Sequence, residues 1–167
     1  VLSGPGLKID LGSGNVEDGE NLEKGYLRQD IDSNIKGLDL VCDIRDLGQN
    51  VEKESCITIR ASHVMEHFPT AEIPGLFKMI YNLLEIEGIF EIIVPNLLWH
   101  FELIEYKKDN EAIKHMFGGQ KDEWDFHKTG FTPRILKKRL EEAGFTIVTL
   151  IPDTSITAFA QKNVNTN

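Results

Sequence analysis

Leu7-Lys8-Ile9-Asp10-Leu11-Gly12-Ser13-Gly14 is a short alternating run that ends in a glycine-punctuated turn. Leu7, Ile9 and Leu11 fall on one face of a strand and Lys8 and Asp10 on the other, which is the period-2 signature of a β-strand. The two glycines let backbone N–H groups approach a ligand closely, with no Cβ in the way. A strand feeding such a turn serves many nucleotide-like ligands, so the residues downstream of Gly14 decide the reading.

Working outward, residues 25–32 read as a second strand ending in Asp30 and Asp32, and residues 37–43 as a third ending on Asp43. About ten residues separate the first two strands, close to the minimum for a parallel crossover, so 15–24 is expected to hold one helical turn or none. Residues 56–61 are a fourth, β-branched strand that runs into Ser62-His63-Val64-Met65-Glu66-His67-Phe68-Pro69. Ile73, Leu76, Phe77, Ile80, Tyr81 and Leu84 then recur at helical spacing, and Glu87-Gly88 is read as the close of that helix. Residues 89–94 are nearly continuous in hydrophobicity, as a central strand covered on both faces should be.

Residues 97–117 have helical character interrupted at 107–110, which predicts two short helices or one bent one inserted over the sheet. Thr132-Pro133 opens a helix that Gly144 stops. Residues 145–151 and 156–161 read as two closing strands. The expected architecture is therefore a doubly wound, Rossmann-like α/β sheet of seven mostly parallel strands, with a helical insertion after the fifth strand. Ligands bind such sheets outside the carboxyl ends of the strands, where the acids named above collect. One domain over 1–162 and a polar tail over 163–167 are expected.

The 167 residues, 41% of them hydrophobic, suffice for one core. The net charge of -9 would repel a phosphate backbone, and no basic run exceeds Lys137-Lys138-Arg139, so direct nucleic-acid binding is disfavoured. No stretch of about 18 apolar residues and no signal-peptide pattern is visible, and a cytoplasmic protein is expected. Cys42 and Cys56 lack metal-type spacing and read as packing residues.

Gly12 and Gly14 with Asp30 and Asp43 form the first constellation. A carboxylate after the second strand can accept hydrogen bonds from a ribose diol, and one after the third can accept from an adenine amino group. Asp32 is the reserve candidate for the ribose. In sequence, I-D-L-G-S-G (9–14), G-Y-L-R-Q-D-I-D (25–32), C-D-I-R-D-L (42–47), A-S-H-V-M-E-H-F (61–68), E-G-I-F-E-I-I-V-P-N (87–96) and F-H-K-T-G-F-T (126–132) together resemble a class I S-adenosylmethionine-dependent methyltransferase. The nearest pattern is a small bacterial group with an E-H motif after the fourth strand, often linked to surface-polysaccharide biosynthesis. Ser13 stands where that pattern often has Cys, and Glu87-Gly88 where a Gly-Gly pair is usual.

The resemblance implies S-adenosylmethionine as cofactor and a small-molecule or saccharide-type acceptor. It implies cofactor contacts from Asp10, Gly12, Ser13, Gly14, Asp30, Asp32, Asp43, Ile44, Ser62 and His63. Glu66, His67 and His127 are the candidates for acceptor binding or proton removal. A module of the same fold that has lost catalysis is the second reading. A nicotinamide enzyme is a third, weakened because Glu17, three residues after Gly14, would set a charge against a pyrophosphate.

His63-Val64-Met65-Glu66-His67 also spells H-x-x-E-H, in which two histidines one helical turn apart share a zinc in a hydrolase. That pattern needs a helix, whereas here it follows a strand and meets Pro69. No metal is therefore expected.

Overall fold

The computed structural model describes residues 1–14 and 25–163. The expected short link at 15–24 and the end of the tail, 164–167, lie outside the described residues. In chain order come β1 (Leu7–Leu11), β2 (Leu27–Asp30), β3 (Leu40–Val41), a 3-10 turn (Ile44–Asp46), α1 (Leu47–Asn50), β4 (Cys56–Ser62), a second 3-10 turn (Met65–His67) and α2 (Ile73–Leu83). There follow β5 (Leu84–Pro95), α3 (Leu97–Glu105), α4 (Asp109–Phe117), α5 (Pro133–Ala143), β6 (Thr146–Pro152) and β7 (Ser155–Gln161).

The strands form one sheet in the order β3-β2-β1-β4-β5-β7-β6. All neighbours are parallel except β7, which runs antiparallel to both β5 and β6. The order reverses at β1, so the carboxyl ends of β1 and β4 flank the switch point where such sheets bind ligands. The expected doubly wound, mostly parallel sheet is the observed one.

Alternation along β5 puts Phe90, Ile92 and Val94 wholly inside. Phe90 meets Phe77 of α2 edge-on at 5.7 Å and lies against Phe145 at 5.8 Å, so α2 and the segment after α5 close one face of the sheet. Polar residues on the same strands form a charged row. Asp10, Arg60 and Glu91 are cross-strand neighbours, with Arg60 3.2 Å from Asp10 and 3.5 Å from Glu91.

Two boundaries differ from the sequence reading. The helix ends at Leu83, and the chain enters β5 directly at Leu84 instead of after Glu87-Gly88. Gly88 sits where a Cβ would come within 2.9 Å of the backbone oxygens of Cys56 and Glu85, which explains the glycine. Glu87 takes a left-handed φ of 68° that a non-glycine residue adopts at a cost. Glu87→Gly is therefore expected to stabilise the fold by about 1 kcal/mol, raising Tm by about 2–4 °C in a melt followed by circular dichroism. The third strand shrinks to two residues because the Asp39 carboxylate, not a further strand residue, accepts the Arg28 N–H at 2.8 Å.

The insertion is two short helices, α3 and α4, as one of the two expected forms. Asn96 caps α3 by accepting the Leu98 N–H at 3.2 Å, and its own amide donates to the Asp153 carbonyl at 2.8 Å. An isolated parallel bridge pairs Asn96 with Phe131, and the Leu97 N–H donates to the Phe131 carbonyl at 2.9 Å. Both ends of the segment 97–130 therefore leave and rejoin the sheet at one place. Among the described residues no helix is long and apolar enough to cross a membrane.

Candidate active site

The turn after β1 is built from left-handed glycines. Gly12 has φ 59° and donates its N–H to Gln29 Oε1 at 3.2 Å, and a Cβ there would lie 2.7 Å from Val64 Cγ2. Gly14 has φ 57° and donates to Asp30 Oδ2 at 3.0 Å. The other oxygen of Asp30 accepts the Asp32 N–H at 3.0 Å. Gln29, a buried amide that the sequence reading passed over, donates to the Cys42 carbonyl at 2.7 Å and so joins the ends of β2 and β3 to the glycine turn. Its signal was a polar side chain in the middle of an otherwise strand-like run. Arg28, also buried, donates to the carbonyls of Gly14, Lys36 and Gly37.

These contacts shape a cavity of about 200 Å³ over the switch point. Of the residues that the sequence pointed to, Gly12, Asp30, Asp43, Ile44, His63 and His67 line it. Its walls are otherwise largely apolar, with Ile31, Val64 and Phe68, and Trp124 lies at its edge. Asp43 caps the 3-10 turn by accepting the Arg45 N–H at 2.8 Å and pairs with the Arg45 guanidinium at 2.9 Å, which fixes its carboxylate.

Three expected contacts fall elsewhere. Asp10 points into the charged row and is ion-paired with Arg60, because alternation along β1 turns it away from the turn's ligand side. Asp32 is exposed and caps Asn34. Ser62 pairs with Ile93 inside the sheet and is not part of the cavity wall. Gly14 and Ser13 support the turn, and the buried Ser13 Oγ has no hydrogen-bond partner among the described residues.

Beyond β4 the chain bends at His63, which has φ 54°, before the 3-10 turn Met65–His67. This geometry removes the helix that the H-x-x-E-H pattern needs. His63 turns instead to Glu66, with its Nδ1 3.2 Å from Glu66 Oε1. Glu66 is 1% exposed, and its second oxygen, Oε2, has no partner among the described residues.

A distant segment completes this side. The Glu66 carbonyl accepts from both Lys128 N–H (2.7 Å) and Thr129 N–H (3.2 Å), and His67 Nδ1 donates to the Phe126 carbonyl at 3.1 Å. His127 is thereby set edge-on to His67, with ring centroids 5.0 Å apart. The hairpin of this segment depends on Gly118, whose φ is 80°, and on Gly119; a Cβ at either would overlap Asp125. Burial lowers the His127 pKa, against the opposing pull of Glu66.

A second cavity of about 570 Å³ adjoins the first, and His63 lines both. Trp99, His100, Lys114, His115 and His127 contribute to its wall. Aromatic and histidine side chains of the insertion thus line an open space. His100 is 2% exposed and stacks on His115 at 5.6 Å, and burial lowers its pKa to about 4.

A histidine buried neutral is protonated more readily in the unfolded chain, whose pKa is about 6.5. Its contribution to stability is complete above that value and is lost as pH falls towards 4. The expected loss over this window is on the order of 2–3 kcal/mol, and His100→Gln should flatten the slope in denaturant titrations at pH 6.5 and pH 4.

A family model described as a methyltransferase domain matches residues 9–150, from β1 into β6. The chain belongs to the methyltransferase domain family. It is a class I methyltransferase, the class whose methyl donor is S-adenosylmethionine. Among solved structures this methyltransferase is similar to a SAM-dependent methyltransferase from Archaeoglobus fulgidus, with 16% identity over 95% of this chain and 87% of that one, and a TM-score of 0.68. A SAM-dependent methyltransferase from Methanosarcina mazei has 18% identity over 98% and 95% of the two chains, with a TM-score of 0.68. A third, the 1,6-didemethyltoxoflavin-N1-methyltransferase of Burkholderia thailandensis, was solved with 1,6-didemethyltoxoflavin and S-adenosylhomocysteine; it has 16% identity over 96% and 72% of the chains and a TM-score of 0.63. At these identities the likeness is one of fold. A search of curated proteins finds no match.

Proposed function

We propose that this methyltransferase transfers the methyl group of S-adenosylmethionine to a hydroxyl of a small, saccharide-type acceptor, with donor and acceptor in the two adjoining cavities. The observation that carries the reading is the first cavity. It has left-handed Gly12 at its base, the Asp30 carboxylate at the end of β2, and apolar walls from Ile31, Ile44, Val64 and Phe68. This is a fit for an adenosine: a carboxylate for the ribose diol and a flat apolar slot for the base. The Ser13 Oγ, without a partner among the described residues, adds a polar group beside the turn.

The sulfonium supplies the activated methyl group, so this chain's residues have three tasks: alignment, exclusion of water and removal of the acceptor's proton. Gly12 and Asp30 hold the donor side. Trp99 offers a flat face to a sugar ring in the second cavity. His67 lines the first cavity and His127 the second, with the buried Glu66 within reach of both, and His127 is placed to take the acceptor hydroxyl proton.

Calorimetry with S-adenosylhomocysteine and, separately, NAD tests the donor half. Micromolar binding of the first and none of the second is expected. Binding of NAD alone would overturn the assignment.

A further inference from the structure

Glu66, His67 and His127 offer one ligand atom each, and these atoms all lie within 4.8 Å of one another. We propose that this trio is a binding site for a divalent first-row cation, such as zinc, cobalt or manganese, placed to hold the acceptor oxygen. The inference deepens the proposed acceptor site and rests on that reading for its role, though not for the binding itself.

Three independent features point to a cation. Glu66 is 1% exposed and its Oε2 is unpartnered among the described residues, and a bare buried carboxylate oxygen is costly unless something positive meets it. His63 engages the other oxygen, Oε1, which orients the carboxylate and leaves Oε2 presented. His67 is arranged as a metal-ligating histidine usually is: a carbonyl can only accept, so His67 Nδ1 carries the proton it gives to Phe126, and Nε2 is the nitrogen that a cation would take. The His127 ring stands edge-on to His67 at 5.0 Å between centroids, which brings one of its nitrogens into the same set.

Two imidazoles and one carboxylate on one side of an ion make a facial set with open positions opposite, the arrangement that accepts an exogenous oxygen ligand. Donors around a cation at about 2.1 Å stand about 3–3.5 Å apart, so small rotations of the two half-buried histidines would close the set. With His127 engaged as a ligand, the cation takes over the task of the free ring: an acceptor hydroxyl bound to it would lose its proton near neutral pH, and that proton leaves to solvent through the open second cavity. The oxygen then attacks the methyl carbon as the carbon–sulfur bond breaks, and S-adenosylhomocysteine departs neutral at sulfur.

This site is distinct from the zinc pair that the H-x-x-E-H spelling suggests. It uses Glu66 as a ligand in place of His63, and its third member comes from 60 residues further along the chain.

The test uses chelator-treated full-length protein titrated with Co²⁺ and with Zn²⁺ alone. One equivalent is expected to bind with micromolar or tighter affinity, with visible Co²⁺ absorption bands of a low-symmetry nitrogen and oxygen site. Glu66→Gln, which keeps the side chain's shape, and His127→Ala should each weaken binding by at least about tenfold. His115→Ala, which removes an exposed imidazole from the same cavity, should leave it unchanged. Circular dichroism and S-adenosylhomocysteine binding on each variant establish that it is folded. Binding no tighter than millimolar to the wild type, or binding that survives Glu66→Gln and His127→Ala, would overturn the site. S-adenosylhomocysteine binding without metal binding refutes only the cation; metal binding without S-adenosylhomocysteine binding refutes only the donor assignment.

Discussion

Asp30→Ala is expected to weaken S-adenosylhomocysteine binding by about two to three orders of magnitude. A hydrogen bond to a charged group is worth about 1.5–3 kcal/mol, and a ribose diol offers two of them to one carboxylate. The same carboxylate also holds the Gly14 N–H at 3.0 Å and the Asp32 N–H at 3.0 Å, so its removal loosens the turn that shapes the cavity. Asp30→Asn, which keeps one acceptor oxygen, should fall between the two. Asp32→Ala should change affinity by less than about threefold, because Asp32 is exposed and occupied with Asn34. If Asp32→Ala is the damaging change and Asp30→Ala is silent, the ribose assignment moves to the reserve candidate. If both are silent, the cavity does not hold an adenosine.

Gly118→Ala should detach the acceptor side while sparing the core. A Cβ at this position would overlap the Asp125 backbone oxygen, and the φ of 80° is itself unfavourable for alanine, so the hairpin at 118–125 cannot close. His127 then loses its place, because its position depends on the Phe117 carbonyl, which accepts the His127 N–H at 3.1 Å, and on the N–H groups of Lys128 and Thr129. Methyl transfer is expected to fall by about 10² to 10⁴, the usual contribution of a positioned proton acceptor. Hydrogen exchange at the Lys128 and Thr129 amides should accelerate to the rate of a frayed loop. Binding of S-adenosylhomocysteine should weaken by less than about tenfold, since Trp124 alone among the residues of that cavity lies in this hairpin. A variant whose Lys128 and Thr129 amides stay protected would show that the hairpin tolerates the side chain.

Periodicity carried much of the fold. The alternation in β1 and β4, the central run in β5 and the helical spacing of α2 each reflect one face pressed on a common core, which is a local property of sequence. Thr132, Pro133 and Gly144 bound α5 through local chemistry: a hydroxyl that accepts the Ile135 N–H at 3.3 Å, a fixed φ, and a left-handed stop. The cavity proposed for the donor was legible for the same reason, since Gly12, Asp30 and Asp43 sit where three strands end and line it together. Other features had no local trace. The 3-10 turn Ile44–Asp46 and the four-residue α1 are too short to show a period. The left-handed bend at His63 left no mark in the residue types, although the strand before it and Pro69 after it argue against a helix face shared by His63 and His67. Nothing near Glu66 announces that its carbonyl receives a segment from 60 residues away, and the meeting of Glu66, His67 and His127 is a product of that long-range docking.

The bridge between Asn96 and Phe131 has an evolutionary and practical meaning. Because the chain leaves the sheet and returns to it at a single closed gate, everything between is a cassette whose length the sheet does not feel. Doubling such an excursion costs only about 0.6 kcal/mol in closure entropy. The helical pair can therefore be exchanged or lengthened while every wall of the first cavity except Trp124 stays in place, and chimeras spliced at this gate are the natural route to redirecting the enzyme.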